Sequence, residues 1–591
     1  MTNSTLHTSE TTYIKGKDDC LESSIFRMQS LLKQAGFQIE EVSWLNPVDN
    51  VYSVHIRDAR SPALFTNGKG ASRKATLASA LGEFFERLET HYFFSDFYLQ
   101  PQSQTTDWLY FSNEQAFSLE DYKHCLTPKL WQLYDPKEQL KPEDLLSLND
   151  QTDWIRCLPL RPVFSQKKQQ KSNGAGDFVY FPMNLLSNLY ASNGLAAGNT
   201  QVEAQVQALS EIFERWVKNR ILRENICLPE VPKEEVAQYP LVLQAIEKLK
   251  AQGIEVSVRD ASFGGLYPVI CIILFEQSTG RCFASFGAHP IFEVALERTL
   301  TESLQGRSLD QLDAFQTPLF DALEVASDEN IENHFIDSSG WLHAHFIGTQ
   351  ADFAFKAWNF SGSTSAQWHY LVENIESEGF QVYIAEYQHH GIPACRIVVP
   401  GMSEIYPLEE LLYNNQNIGR QLRQLMQTLH ESPQEKPHFL AALEAFESLG
   451  LSDHQNVANL IGLLPDEDSP WKTLKVVEFR MWLYLAIQDY ETALDCLEDC
   501  LHYVDLAADQ TFYQCLRFLL NAKLYDMTSE LIPDAVVKLF GSQNVERALA
   551  NIIGSQKFGG LTIGKAVFEE SQNHQTLLKI YQQSIKAEMK A

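Results

Sequence analysis

The chain has 591 residues, 45% of them hydrophobic, so it can bury large cores, and its length allows roughly three or four domain-sized units. Its formal net charge of −29 excludes non-specific binding to nucleic acid and to anionic membrane surfaces, because their phosphate groups would repel it. No apolar run approaches a membrane span and no signal peptide precedes Tyr13, so we expect a cytoplasmic protein. Ten scattered cysteines without a C-x-x-C motif indicate reduced, buried thiols.

The first seventy residues contain helix and strand signals in quick succession. Residues 1–20 are polar, and we expect them to be flexible. Residues 23–34 carry apolar side chains at helical spacing, which predicts a helix. Apolar and β-branched residues predict strands over 51–57 and 63–66, followed by a glycine-containing turn at 67–70.

The most informative pattern is a helix that occurs twice and carries two glutamates and an arginine. It reads LGEFFER over 81–87 and LSEIFER over 209–215. Gly70 and Gly198 begin a polar turn at the same distance before each copy. A low-complexity polar loop over 166–176 lies between the copies. Two structural halves therefore each supply one Glu-x-x-Glu pair.

The two glutamates of each pair lie on one face of a helix, because residues i and i+3 are neighbours there. Four carboxylates brought together raise one another's pKa and require cations. Oxygen ligands in that number suit Mg²⁺ held together with a phosphate group. Two alternatives stay open: the helices are merely solvated and amphipathic, or the two pairs lie at opposite ends of two separate halves.

The second helix has one polar face and one apolar face. Four acidic and amide side chains fall within roughly 80° of one another around the helix axis. These side chains are Glu203, Gln207, Glu211 and Glu214. The opposite face, which we expect to be core, carries Val206, Leu209, Phe213 and Trp216.

A hairpin and a third helix follow. Apolar, β-rich runs over 267–275 and 281–287 predict the hairpin. The helix predicted over 293–307 resembles the first two only loosely, and we interpret it as a degenerate third repeat. Glu302 has the place of the first glutamate, and Arg298 lies on the same face of the helix.

Strands predicted over 381–385 and 395–399 complete the β-containing part of the chain. We interpret residues 21–405 as an α+β domain with internal pseudo-repeats. Helical spacing fills residues 408–591, and two segments resemble the turns of tetratricopeptide hairpins, with a plain helical bundle as the alternative. Either structure is typical of a docking or dimerising module, and we expect a homodimer.

With these residues in view, the chain resembles the YcaO family over residues 13–405 and through the C-terminal helices. Besides the two repeated helices, the resemblance is carried by KGK at 15–17, FTNGKG at 65–70, FGAHP at 286–290, LER at 296–298 and VPGM at 399–402. Members of this family bind ATP and Mg²⁺ without a P-loop. The present sequence agrees, since it contains no G-x-x-x-x-G-K-[ST] motif.

The resemblance implies one set of Mg²⁺ ligands and one set of nucleotide contacts. The implied metal ligands are Glu83, Glu86, Glu203, Glu211 and Glu214. The implied nucleotide contacts are Lys17, Ser24, Gln207, Arg215 and Arg298. Arginine suits this role because it is always charged and can donate two parallel hydrogen bonds to a phosphate. For Arg215, a surface ion pair to Glu211 is the alternative.

The chemistry of the family is ATP-dependent activation of a backbone amide, which gives an azoline or a thioamide. Azoline-forming members often end in a Pro-x-Pro-x-Pro tail, whereas this chain ends in IKAEMKA. Members with the present architecture resemble accessory factors that help a radical-SAM methylthiotransferase to β-methylthiolate an aspartate of a small-subunit ribosomal protein. Cys496 and Cys500 lack the third cysteine of a radical-SAM cluster, so the chain cannot be that methylthiotransferase itself.

Three functional hypotheses follow. The first is an ATP- and Mg²⁺-dependent accessory factor in protein methylthiolation, with a protein or peptide substrate and no direct contact to nucleic acid. The second is a stand-alone thioamidase or cyclodehydratase, and the third is a scaffold that binds nucleotide without turnover. A metal site at His389 and His390 is disfavoured, because adjacent histidines on a strand point to opposite faces and a loop or turn suits them better.

Overall fold

The computed structural model describes residues 11–590, except 101–107, 151–152, 166–176, 311, 313, 414, 416, 432–434, 504–508 and 528–533. The polar loop predicted over 166–176 therefore lies outside the described residues. The described part mixes helices and sheets up to Val398 and is helical beyond it, which confirms the predicted α+β class and helical C-terminal region. Within this part, no helix is long and apolar enough to span a membrane.

In the described part of the chain, twelve strands form three antiparallel sheets. The strands are β1 (Ile39–Val48), β2 (Val51–Asp58), β3 (Ser61–Gly70), β4 (Gln115–Ser118), β5 (Trp154–Val163), β6 (Val179–Pro182), β7 (Leu195–Ala197), β8 (Ile254–Asp260), β9 (Val269–Glu276), β10 (Arg281–Ala288), β11 (Val382–Tyr387) and β12 (Ala394–Val398). One sheet has the order β1-β2-β3 and another has the order β10-β9-β8. The largest sheet has the order β4-β5-β11-β12-β7, with β6 paired to β5.

Three helices concern the site and are named here. The first glutamate helix is Arg73–Glu89, the second glutamate helix is Gln201–Glu224, and the arginine helix is Phe292–Ser303. The other helices before residue 405 are Leu21–Gln34, Pro128–Tyr134, Met183–Leu185, the π-helix Leu186–Tyr190, Lys233–Val236, Pro240–Ala251, Ala322–Val325, Asp328–Ile336 and Thr364–Ser377.

The C-terminal region is built from short helices around its own core. They are Glu410–Tyr413, Asn417–Glu431, Lys436–Ser448, Val457–Ile461, Val476–Ile487, Tyr490–Tyr503, Gln510–Leu524, Asp534–Phe540, Ser542–Ile552, Ala566–Glu570 and Gln572–Glu588. Val476–Ile487 and Tyr490–Tyr503 pack as a hairpin around the buried Trp482. The last helix instead returns to the N-terminal part, where Tyr581 is buried and donates to the carbonyl oxygen of Leu109.

Most predicted elements are confirmed, but one predicted turn is wrong and six observed strands were not predicted. Residues 67–70 are not a turn but the end of β3, where Gly68 pairs with Val54 and Gly70 pairs with Tyr52. These strand positions are occupied by glycine because a helix packs directly against the backbone there and leaves no room for a side chain. Strands β1, β4, β5, β6, β7 and β8 are missing from the prediction. Of these, β1 is an edge strand with a single buried residue, so it lacks the apolar pattern of a core strand.

The cysteines and the adjacent histidines have the predicted environments. All ten cysteines are among the described residues, and each is a buried free thiol. His389 and His390 lie in the turn between β11 and β12, as expected. There the backbone N–H of His390 donates to Glu89 at 2.8 Å, and its ring bonds Ser584 of the last helix at 2.8 Å.

Candidate nucleotide and magnesium site

The first glutamate helix is placed by a close approach to β3. A Cβ added at Gly68 would lie 2.2 Å from the carbonyl oxygen of Thr76, so only glycine allows this contact. The helix begins after Ser72, whose hydroxyl accepts from the backbone N–H of Ala75 at 3.2 Å. Phe84 and its neighbours face the core, which leaves Glu83 and Glu86 on the other side.

The second glutamate helix begins in the same way. A Cβ at Gly198 would lie 2.6 Å from the backbone nitrogen of Ala204. Thr200 caps the helix by accepting from the N–H of Glu203 at 3.1 Å. Buried apolar residues fill its inner face as the sequence predicts, although Trp216 is only partly buried. The repeat read from the sequence is therefore a repeat of backbone geometry as well.

The arginine helix is a third copy of this junction. A Cβ at Gly287 would lie 2.3 Å from the hydroxyl of Thr299 and 3.1 Å from the carbonyl oxygen of Ala295. These partners stand at the same chain offsets as those of Gly68, and the same alignment pairs Glu302 with Glu83. The degenerate third repeat predicted from the sequence thus has its own close contact between a strand glycine and the following helix.

The structure brings the two Glu-x-x-Glu pairs into one place. Burial raises the pKa of Glu86 well above its usual value, and the nearby charges of Glu211 and Glu83 raise it further, against the opposing effect of Arg87. Carboxylates from both glutamate helices are therefore close enough to interact electrostatically, rather than lying at opposite ends of two halves.

Lys69 of β3 lies between these carboxylates. Its ammonium group forms an ion pair with Glu302. Burial and the charge of Arg298 lower the pKa of Lys69 to about 8, while Glu214, Glu83 and Glu211 counteract them. The Lys69 ammonium group thus interacts electrostatically with glutamates from all three repeated helices.

Two arginines neutralise part of the negative charge. Arg87 lies 3.3 Å from Glu83 and 3.5 Å from Glu86, and one of its buried terminal nitrogens has no hydrogen-bond partner. Arg215 lies 2.9 Å from Glu211 and donates to the amide oxygen of Asn193 at 3.2 Å. The ion pair weighed for Arg215 is therefore present, in a half-buried position beside the other carboxylates.

The N-terminal segment covers the start of the second glutamate helix. Lys17 lies 3.1 Å from Glu203, and the backbone N–H of Asp18 donates to the same carboxylate at 2.8 Å. Burial would raise the pKa of Glu203, but Lys17, Asp18 and Asn199 outweigh it and hold that pKa below its usual value. Ser24 donates to the amide oxygen of Asn199 at 2.7 Å.

The other end of the cleft contains Arg298 and Gln207, which form a hydrogen bond. His289 lies close by, and burial together with the charges of Arg298 and Lys17 lowers its pKa to about 3. A neutral imidazole therefore lies near two cations here. Among the residues implied by the resemblance, Glu203 contacts Lys17, Glu211 contacts Arg215 and Gln207 contacts Arg298, while the charges of Glu83, Glu211 and Glu214 act together on Lys69.

Several residues that the structure places beside these glutamates and cations have no role assigned from the sequence. They are Lys69, Arg87, Asn193, Asn199, His289 and Glu302. Lys69 and His289 lie inside the quoted segments FTNGKG and FGAHP, and Arg87 ends the repeated motif, so position alone could have flagged these three. The two asparagines have no such signal, because their contacts depend on the tertiary fold.

The donor set fits Mg²⁺ with a nucleotide phosphate. All the acidic donors are carboxylate oxygens, which are the ligands that Mg²⁺ prefers, and the cations beside them suit phosphate oxygens. Among the described residues, no three acidic, histidine or cysteine side chains are already grouped as a metal site. The glutamates are instead paired with Lys69, Arg87 and Arg215, so binding would require these pairs to exchange for metal contacts.

A cleft of about 730 Å³, including its open mouth, adjoins this site. Glu214, Arg215 and Lys218 line one side, and His334 and Ser338 line another. Lys218 donates to Ser338 at 2.9 Å and to the backbone carbonyl of His334. Burial lowers the pKa of Lys218 to about 8, against the opposing effect of Glu214.

Comparisons with known proteins identify the family of the chain. The family model described as "YcaO cyclodehydratase, ATP- and Mg²⁺-binding" matches residues 67–403. This chain belongs to the YcaO family. A second model of the family, for its C-terminal domain, matches residues 419–590. The YcaO family is thus an ATP- and Mg²⁺-binding family, and its model covers the whole of the repeated-helix region.

Individual relatives extend over nearly the whole chain. The Escherichia coli K12 ribosomal protein S12 methylthiotransferase accessory factor YcaO is 45% identical over 579 residues, which is 97% of each chain. An uncharacterised Haemophilus influenzae protein is 41% identical over 97% of this chain and 98% of its own. A solved heterocyclase in complex with substrate and cofactor is more distant, with 17% identity and a TM-score of 0.45 over 69% of this chain and 56% of its own.

Proposed function

We propose that this YcaO-family chain binds ATP and Mg²⁺ between the two glutamate helices and acts as an accessory factor in β-methylthiolation of an aspartate of ribosomal protein S12. The observation that carries the proposal is the meeting of carboxylates from both helices around Lys69. The likeness to the S12 methylthiotransferase accessory factor supports the choice of partner. The chain would therefore work with a radical-SAM methylthiotransferase in the cytoplasm.

Each group of residues has a proposed role. Glu83, Glu86, Glu211 and Glu214 hold Mg²⁺, which neutralises charge on the phosphate oxygens when it is bound. Glu203 is also assigned to the metal set, and its release from Lys17 would accompany binding. The nucleotide contacts are assigned to Lys17, Ser24, Gln207, Arg215 and Arg298.

We assign the activated group to a backbone amide of the polypeptide partner. The amide oxygen attacks a phosphorus of ATP, and the bond from that phosphorus to the remainder of the nucleotide breaks. A sulfur donor then adds to the amide carbon, and the phosphorylated oxygen leaves as phosphate. Arg215 and Arg298 would hold the charge that develops on the transferring phosphate group. The cleft beside Glu214 offers the amide an approach from outside the nucleotide site.

The test is a reconstituted methylthiolation reaction. Purified S12 and the radical-SAM methylthiotransferase are incubated with ATP and Mg²⁺, and modified aspartate is measured by mass spectrometry with the intact chain or with Glu214→Gln. We expect the intact chain to increase modification in an ATP-dependent manner and the variant not to do so. Equal stimulation by both proteins would contradict an ATP-dependent role and favour a scaffold.

A labelled substrate separates amide activation from simple ATP hydrolysis. S12 is prepared with a heavy-oxygen label in its backbone carbonyl groups, and released phosphate is analysed by mass spectrometry. Label in the phosphate is expected if the amide oxygen attacks ATP. Unlabelled phosphate during active methylthiolation would contradict the proposed amide chemistry while leaving the accessory role in place.

A further inference from the structure

A strongly acidic segment lies between Arg307 and Lys356. These are consecutive cationic residues of the chain, and nine Asp or Glu residues stand between them. Its central part, residues 318–345, contains the helices Ala322–Val325 and Asp328–Ile336 and is called the acidic lobe here. Arg223 of the second glutamate helix forms an ion pair with Asp328 at 2.5 Å, and the other acids of the lobe leave this surface with a negative potential.

The inner side of the acidic lobe is fixed against the nucleotide site. Arg215 stacks on the ring of Phe335 with 4.7 Å between the guanidinium and the ring centroid. Lys218 donates to two groups of the lobe, and Arg307 donates to the backbone carbonyl of Asp337 at 2.7 Å. Arg215 and Lys218, two of the three cations that hold the lobe, thus belong to the second glutamate helix.

The lobe is also fixed internally. Leu319 pairs with His343 in a parallel bridge, so the two ends of the lobe lie side by side. The Asn330 side chain donates to the carbonyl oxygens of Val325 and Trp341 and accepts from the N–H of Trp341 at 2.7 Å. The lobe is therefore a defined surface of the structure.

The outer side of the lobe exposes large apolar side chains. Phe320 and Leu323 are 87% and 85% exposed, and Ile336 is 65% exposed. Trp341 follows at 37%, and its chain segment lies beside that of Phe320 through the pairing of Leu319 with Leu342. Clusters of exposed apolar side chains on one surface mark contact sites for a partner.

Acidic side chains surround these apolar ones. Asp321, Glu324, Glu329 and Glu332 are exposed in the same lobe. Burial raises the pKa of Glu332, and the neighbouring charges of Glu410 and Glu329 raise it further. Like charges therefore accumulate here, and a cationic partner would relieve their repulsion.

We infer that the acidic lobe docks the polypeptide substrate through a cationic segment with an apolar anchor. The inference rests on the proposed function, because it names the surface that would receive the same substrate. The proposed substrate, S12, is a ribosomal protein, and a protein that binds ribosomal RNA carries cationic surfaces that neutralise phosphate charge. Such cationic surfaces are complementary in charge to the acidic lobe. RNA itself is excluded, since the lobe would repel its phosphates. From the lobe, Phe335 and Ser338 lead along the cleft to Glu214.

The test measures binding of fluorescently labelled S12 to the full-length chain by anisotropy, at low and at moderate salt. One variant is Phe320→Ser/Leu323→Ser, and its control is Phe178→Ser/Leu241→Ser, at sites 54% and 56% exposed elsewhere. All four positions are exposed, so neither variant should disturb folding.

A second pair of variants tests the charge. Glu329→Lys/Glu332→Lys reverses two acids of the lobe, and Asp468→Lys/Glu570→Lys makes the same change of net charge on exposed residues of the C-terminal region. The two proteins therefore differ in where the charge is changed and not in how much.

We expect both lobe variants to raise the Kd for S12 by at least about tenfold, as for removal of an interface anchor, and both controls to stay near the wild-type value. The charge variant should also bind with a weaker salt dependence than wild type. Affinity for ATP with Mg²⁺ should be unchanged in all four proteins.

Two results would overturn the inference: wild-type protein that does not bind S12, or lobe variants that bind like their controls. Both leave the proposed nucleotide site untouched, because ATP affinity is measured separately. Failure of the wild-type chain to bind ATP with Mg²⁺ would instead contradict the proposed function, whether or not the chain binds S12.

Discussion

Substituting Gly68 by alanine should loosen the first glutamate helix from its strand. The added Cβ would lie 2.2 Å from the carbonyl oxygen of Thr76 and 2.6 Å from the backbone nitrogen of Ala80, whereas ordinary contacts are 3.4–4 Å. Backbone atoms cannot rotate away as a side chain does, so the helix must move by about 1 Å. Overpacking of this kind costs about 3 kcal/mol or more.

Gly82 in the same helix provides the matched control. A Cβ at Gly82 meets no atom within 4 Å. Alanine in a helix interior is favoured over glycine by roughly 0.5–1 kcal/mol, so Gly82→Ala should stabilise the protein slightly. The same substitution, made fourteen positions further along the chain, should thus have the opposite effect on stability.

The assay combines urea unfolding, followed by circular dichroism, with calorimetry of ATP and Mg²⁺. Gly68→Ala should unfold at lower urea and bind ATP more weakly, because Glu83 and Glu86 move with the helix. Gly82→Ala should keep the wild-type affinity. Equal stability and equal ATP affinity of Gly68→Ala and wild type would refute the argument that this glycine contact positions the glutamates.

Three further predictions concern charge. Burial raises the pKa of Glu89 to about 8, so the folded protein binds one proton more than the unfolded chain between pH 4.5 and 8. The free energy of unfolding of wild type should therefore fall by a few kcal/mol across that range relative to Glu89→Gln, which urea unfolding at pH 5 and pH 8.5 measures. Arg298→Lys should weaken ATP binding about tenfold in calorimetry with little change in stability, because lysine keeps the charge but loses the paired hydrogen bonds. Lys17→Met leaves the nearly buried Glu203 without its cation, so it should lower stability at neutral pH and lose that deficit below the usual glutamate pKa, in the same urea assay.

The repeated helices could be predicted from the sequence because several local signals agree there. The Glu-x-x-Glu-Arg spacing fixes one helix face, and Gly70 and Gly198 stand at the same distance before the two copies. The hairpin of β9 and β10 was equally accessible, since it alternates long apolar runs with a polar turn. In these segments local propensity and tertiary structure favour the same conformation.

Other features depend on contacts between distant parts of the chain. Gly68 and Gly70 have the composition of a turn, but tertiary packing makes them strand residues. Lys69 lies in the quoted segment FTNGKG, but its ion pair with Glu302 joins it to a helix more than two hundred residues away, and no local pattern predicts that pairing. The last helix belongs by sequence to the C-terminal region, yet Tyr581 packs in the N-terminal core. A single sequence does not encode such pairings in its local pattern.

The central claim is that both Glu-x-x-Glu pairs form one ATP and Mg²⁺ site. The most direct measurement is calorimetric titration of ATP with and without Mg²⁺ into wild type, Glu83→Gln and Glu211→Gln, one variant from each helix. Wild type should require Mg²⁺ for tight binding, and chelation of the metal should reduce its affinity to that of the variants. Both variants should lose the Mg²⁺ dependence to a similar extent. If either variant binds ATP and Mg²⁺ like wild type, the two pairs do not share a site and the account is wrong.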